Sequence, residues 1–274
     1  VILPAFGVSI EIAEELKSRG IDTKEYNTTC PFVEKVWRRS NQLGEQGFSI
    51  IIHGKHFHEE TKATFSHAAS GAPSIIVRNL EEAGKLAEYM KDPENERVPS
   101  KERFYEEFSG KYSEGFDPYK DLQRVGVVNQ TTMLAEETRE VAAYFKKILT
   151  ERHGESEVKK YFADTRDTLC YATSENQSSV KELVKVGGDV AIVIGGYNSS
   201  NTTHLAKLCK ESVLTYHITG AEDIVSSETI KHYNNNSHEF DLSHNWFPVK
   251  EGKTVVLLTA GASTPDSVVD SVME

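Results

Sequence analysis

Five short apolar runs punctuate the chain: Val1–Phe6, Phe48–His53, Arg124–Val128, Asp189–Ile194 and Thr254–Leu258. Each is bounded by Gly, Pro or polar residues, as expected of strands buried on both faces of a parallel sheet. Between them the spacing turns helical. Val8–Lys17 carries Ile10, Ile12, Ala13 and Leu16 and ends near Gly20, giving way to a short segment at Ile21–Tyr26. Asn27-Thr-Thr-Cys-Pro opens the next unit, with Pro31 suited to a first helical position and a stripe of Val33, Val36, Trp37 and Leu43 that ends at Gly44 and Gly47. Further helices are predicted to start near Thr131, Thr202 and Pro265. Strands alternating with helices imply parallel βαβ modules, an α/β fold with helices on both sheet faces. Glu81–Gln123, charged and spotted with aromatics, reads as a surface insertion with some helix around Lys101–Phe108, and His232–Lys250 reads as irregular.

With 274 residues the chain is long enough for two α/β units. It carries a net charge of -11, which repels a phosphate backbone and argues against nucleic acid as a partner. No apolar run approaches the roughly 20 residues that span a bilayer. Three widely spaced cysteines, Cys30, Cys170 and Cys209, do not form a disulfide framework and point to a reducing compartment. Val1-Ile-Leu-Pro-Ala-Phe-Gly, without an initiator Met, reads as a buried strand already under way, as if cut inside a domain.

In open α/β sheets ligands sit beyond the carboxyl ends of the strands. The loops there are rich in small donors: Tyr197-Asn-Ser199-Ser200-Asn201, Thr259-Ala-Gly-Ala-Ser263-Thr-Pro-Asp, and Asn129-Gln-Thr131-Thr. Any one of them is explained by helix capping; together they suggest helix N-termini gathered around an anion such as a diphosphate. The loop His53-Gly-Lys-His-Phe-His58-Glu-Glu60-Thr reads as a phosphate-binding His beside a proton-donating carboxylate or as a solvated helix start, with a metal site the weakest reading because no His follows Glu60 until His67, off the i, i+4 spacing of a zincin. Cys30 and Cys170 stand at the polar ends of the strand-like segments Thr28–Cys30 and Asp167–Cys170 and suit an iron–sulfur cluster, whereas Cys209 reads as a buried helix residue.

Taken in order, Thr-Thr-Cys30-Pro, His58-Glu-Glu60-Thr, Asn-Gln-Thr131-Thr, Cys170-Tyr-Ala-Thr, Asn-Ser199-Ser200-Asn201 and Gly-Ala-Ser263-Thr-Pro-Asp resemble the LytB/IspH family, in its plant and cyanobacterial branch. The resemblance runs from about residue 1 to the end. It implies a cloverleaf of three α/β domains around a central cluster, here with the first domain incomplete: 1–29 a remnant of the first domain, 30–165 the second with its insertion at about 85–123, 166–262 the third, and 263–274 a C-terminal helix. It implies a [4Fe–4S] cluster held by Cys30, Cys170 and a third Cys that this chain lacks, so that the fragment alone is expected to be inactive. A diphosphate-binding His of the better-known bacterial branch is replaced here by Phe6.

The implied reaction is reductive removal of an allylic hydroxyl in the MEP isoprenoid pathway, with Glu60 as proton donor beside Thr131, and with His58, Ser199, Ser200, Asn201 and Ser263 on the diphosphate. The resemblance further implies a ferredoxin- or flavodoxin-type electron donor and a bacterial cytoplasm or plastid stroma. Two other readings stand beside it. One is an α/β phosphate-binding protein without iron–sulfur chemistry. The other is a three-Cys enzyme of the quinolinate synthase kind, disfavoured because no Arg in the motif loops awaits a dicarboxylate.

Overall fold

The computed structural model describes residues 1–91, 97–163, 168 and 170–274. The chain divides into two compact units, Val1–Cys170 and Tyr171–Glu274.

The first unit is built on four parallel strands, β1 (Ser49–His53), β2 (Ser74–Val77), β3 (Val125–Asn129) and β4 (Phe162–Ala163), in the order β2-β1-β3-β4. Because strand side chains alternate between faces, Ile51 joins one core cluster while Ile50 and Ile52 join another. α2 (Pro31–Glu45) and α3 (Glu59–Ala69) cover the second cluster through Val36, Leu43 and Ala68. Gly126 on β3 leaves room for this packing: a Cβ there would lie 2.6 Å from Leu43 Cδ1, so the Leu43 side chain would have to shift. The first cluster is covered by α4 (Leu80–Ala87), α5 (Lys101–Glu107) and α7 (Ala135–His153) through Leu86, Phe104, Val141, Phe145 and Leu149. α1 (Ile10–Ser18) is tied to α3 where Ser66 Oγ accepts from Ile10 N–H at 3.0 Å and donates to Glu11 at 2.9 Å.

Several expectations are corrected. The stretch read as a surface insertion contributes α4, α5 and the short α6 (Pro118–Asp121), and its Tyr89, Met90, Phe104, Phe108, Phe116 and Leu122 are all buried. Its charged residues lie outside while its apolar ones join the first core cluster. The opening run is no buried strand: Val1 and Ile2 are 62% and 70% exposed, and Leu3 makes only a single parallel bridge to Asn27. Pro4 has no N–H to donate to a ladder, and its carbonyl closes a turn by accepting from Gly7 N–H. Thr28–Cys30 forms no strand either, and residues 167 and 169 of the other strand-like segment lie outside the described residues.

The second unit holds the parallel strands β5 (Val190–Ile194), β6 (Thr215–Ile218) and β9 (Val256–Ala260) in the order β6-β5-β9. Its helices are α8 (Tyr171–Val186), α9 (Ser200–Lys210) and α10 (Asp266–Met273). Val268, Val269 and Val272 of α10 pack on a core of Val190, Ile192, Ile194, Tyr216 and Trp246. The stretch read as irregular contains most of an antiparallel hairpin, β7 (Thr229–Asn234) with β8 (Glu239–His244). Its pattern is hidden because Ile230 is the residue that reaches the core, while Phe240 and Leu242 stay 50% and 62% exposed. No helix among the described residues is long and apolar enough to cross a membrane.

Candidate active site

In the first unit the polar groups collect where β1 and β3 end. His58 is the N-cap of α3, and its Nδ1 accepts from Glu60 N–H at 3.2 Å. An Nδ1 that accepts leaves the proton of the neutral ring on Nε2, which is then a donor. Burial holds the His58 pKa down, with the nearby Lys55 charge acting the same way, so the neutral ring is favoured.

Glu60, only 3% exposed, accepts a short hydrogen bond from Thr131 N–H. Desolvation pushes its pKa up to about 7, although the Thr131 hydrogen bonds favour the charged form. The solvated helix start is therefore excluded for this carboxyl. The helix expected near Thr131 begins at Ala135 instead, because Thr131 N–H is taken by Glu60 and Met133 N–H bonds the Gln130 carbonyl.

Gln130 holds the two loops together and was not singled out from sequence. Its side-chain oxygen accepts from Lys55 N–H at 3.2 Å and from the Thr61 hydroxyl at 3.0 Å, and its amide donates to Thr132 at 2.7 Å. Asn129 is equally occupied, donating to the Gln130 carbonyl and accepting from Thr168. These amides are thus fasteners, and Thr131 with Glu60 is what the loop presents. His53 is buried on β1, 2.9 Å from Thr138 Oγ1, and burial lowers its pKa to about 4.

In the second unit the β5–α9 and β9–α10 loops lie side by side because their strands are neighbours. Both crowd the Thr202 hydroxyl: a Cβ on Gly195 would lie 2.6 Å from Oγ1, and one on Gly261 would lie 2.2 Å from it. Ser199 caps α9 by accepting from Thr202 N–H at 3.3 Å. Behind it, Ser200 Oγ, both side-chain polar atoms of Asn201 and Thr202 Oγ1 are buried with no protein partner. Buried polar groups are normally satisfied; the Thr202 hydroxyl is enclosed by Gly195 and Gly261, which leaves the three unpaired atoms of Ser200 and Asn201 on this turn as groups suited to a ligand. The turn's free N–H groups and dipole favour an anion there. Ser263 sits on the adjacent loop and is exposed.

The three thiols separate by environment. Cys209 is fully buried on α9 and desolvation lifts its pKa to about 11, as expected of a core residue. Cys30 is the N-cap of α2 without a side-chain capping bond, Cys170 directly precedes α8, and both are free and partly exposed. They have the chemistry and access of cluster ligands. No three His, Cys, Asp or Glu side chains among the described residues form a metal-binding group.

The parallel α/β modules thus carry a buried acid at a strand end in the first unit and, in the second, a helical first turn whose unsatisfied polar atoms suit an anion. The chain belongs to the LytB protein family, whose model matches residues 1–274. It is 43% identical over 275 residues to the 4-hydroxy-3-methylbut-2-enyl diphosphate reductase of Trichormus variabilis, covering 100% of this chain and 65% of the relative. The reductase of the same name from Gloeobacter violaceus is 41% identical over 274 residues, 100% of this chain and 63% of the relative. The chain thus spans just under two thirds of the length of these relatives. The solved E-1-hydroxy-2-methyl-but-2-enyl-4-diphosphate reductase of Plasmodium falciparum shares the fold, with a TM-score of 0.64 at 19% identity over 99% of this chain and 65% of that one.

Proposed function

We propose that the full-length protein removes the allylic hydroxyl of 4-hydroxy-3-methylbut-2-enyl diphosphate with two electrons and two protons. The products are isopentenyl and dimethylallyl diphosphates and water. The observation that carries the reading is the first turn of α9, where the Ser200 hydroxyl and the Asn201 amide are buried and unsatisfied. A diphosphate oxygen would supply acceptors for their donors, and the helix N-terminus favours its charge without Lys or Arg. Ser199 and Ser263 border this turn, and the Nε2–H donor of neutral His58 suits a phosphate contact.

Glu60 is the proton donor. Near pH 7 a carboxyl whose pKa is about 7 is substantially protonated, which matches the requirement for a general acid close to its working pH. Thr131 holds it by its backbone N–H. Cys30 and Cys170 would hold two corners of a [4Fe–4S] cluster. When bound, the cluster supplies electrons singly and an iron Lewis acid. A ferredoxin- or flavodoxin-type protein is the proposed electron source.

Titration of the substrate into the full-length protein tests the site. Asn201→Ala is expected to weaken binding at least tenfold, the effect of losing one or two bonds to a charged group. Unchanged affinity would remove the diphosphate from this turn.

A further inference from the structure

The β5–α9 loop has Gly195 and Gly196 at its start, and Gly195 adopts φ +152. The loop backbone is tied where Gly195 N–H donates to the Ile218 carbonyl and Ser199 N–H to the Gly196 carbonyl, both at 2.9 Å, and side chains add a second layer of support. Tyr197 of this loop is partly exposed and packs against the β7–β8 hairpin. Its ring stacks on Tyr233 of β7 with centroids 4.7 Å apart and meets Phe240 of β8 edge-on at 4.7 Å. Its hydroxyl donates to Asp223 Oδ2 at 2.8 Å.

That oxygen also accepts from the Thr219 N–H and the Thr219 hydroxyl, both at 2.8 Å, and Asp223 is only 4% exposed. A buried carboxylate with three converging donors is a rigid anchor. Burial alone would raise the Asp223 pKa, but the bonds from Thr219 and Tyr197 outweigh it and lower the value. The other end of the loop is gripped as well. His217 Nε2 lies 3.1 Å from the Gly195 carbonyl, and its Nδ1 lies 3.2 Å from the Asn235 side-chain amide oxygen in the hairpin turn.

We infer that Tyr197, stacked on the β7–β8 hairpin and hydrogen-bonded to Asp223 in the turn after β6, presets the first turn of α9 for the diphosphate, which makes Tyr197 and Asp223 positioning residues. The inference rests on the diphosphate reading of Ser200 and Asn201. Rigid support from such outer contacts lowers the ordering cost of binding. Loss of the Tyr197 hydroxyl leaves the ring stacked on the hairpin and Asp223 bonded twice by Thr219, so the loop loosens without losing its packing.

Steady-state kinetics and thermal unfolding of the full-length protein test this with Ser200→Ala, Tyr197→Phe, Asp223→Asn and the double variant Tyr197→Phe/Ser200→Ala. Ser200→Ala is expected to raise KM by about tenfold, the loss of one bond to a charged group. Tyr197→Phe should raise KM several-fold while kcat and the unfolding midpoint stay near wild type; Asp223→Asn should raise KM likewise with kcat near wild type, and lower the midpoint because it removes a buried, hydrogen-bonded charge. The double variant should be little worse than Ser200→Ala alone, because the hydroxyl acts through that turn. If Ser200→Ala raises KM and Tyr197→Phe does not, the positioning role is overturned, and a lowered unfolding midpoint with unchanged KM would make the network structural only. Effects that add in full would also contradict it. A KM unaffected by Ser200→Ala would instead remove the diphosphate reading itself.

Discussion

At the scale of single residues, the functional account turns on one carboxyl placed where water does not reach. Glu60 has its acidity set by burial, and its raised pKa of about 7 against an ordinary 4.5 fixes two pH dependences. Because the group acts in its protonated form, turnover in the full-length protein should fall as pH rises above about 7, and Glu60→Gln should abolish that limb. Gln keeps an oxygen for Thr131 N–H and removes the acid, so turnover should drop by ~10²–10⁴-fold with substrate binding nearly intact. Wild-type turnover in the variant would place the proton source elsewhere.

The second dependence is on stability. Folded protein holds the proton more tightly than the unfolded chain, so this stabilisation is complete below about pH 4.5 and lost as pH rises through about 7. The cost of keeping the ionised group buried is about 3 kcal/mol. Unfolding curves should therefore show Glu60→Gln gaining on wild type between pH 5 and 8; no gain would mean the carboxyl is less perturbed than its burial implies. Glu60 and His58 were legible in the sequence as a loop at a strand end, whereas Gln130, Tyr197 and Asp223 were not. Their roles depend on partners tens of residues away, as with Gln130 and Thr61 or Tyr197 and Asp223.

At the scale of elements, β1, β3 and β5 announce themselves because strands buried on both faces are continuous apolar runs, and the edge strand β9 is equally apolar although it is only partly buried. β2 and β6 escaped notice: Ser74-Ile-Ile-Val is only four residues long, and Thr215-Tyr-His-Ile alternates polar with apolar. The α4–α6 stretch misled for a different reason. Its helices are amphipathic, and their charged outer faces dominate the composition while Phe104 and its neighbours are hidden in an aromatic cluster. Phe104→Ala should accordingly cost ~3–5 kcal/mol in denaturant unfolding, the range for a buried Phe. A cost below about 1 kcal/mol, typical of surface substitutions, would restore the view of a peripheral insertion.

At the scale of the whole molecule, an acidic chain is proposed to bind an anion through helix ends and hydroxyls, and of its free thiols one is buried and two are partly exposed. Purified without oxygen, the full-length protein should lose iron and sulfide on Cys30→Ala or Cys170→Ala and keep both on Cys209→Ala. A colourless wild-type protein would favour a phosphate-binding protein without iron–sulfur chemistry. The most direct test of the proposed reaction is turnover of 4-hydroxy-3-methylbut-2-enyl diphosphate by the full-length protein, purified without oxygen and given a chemical reductant. Formation of isopentenyl and dimethylallyl diphosphates is the predicted result. A protein that retains its iron and sulfide, binds the substrate and returns it unchanged would contradict the account.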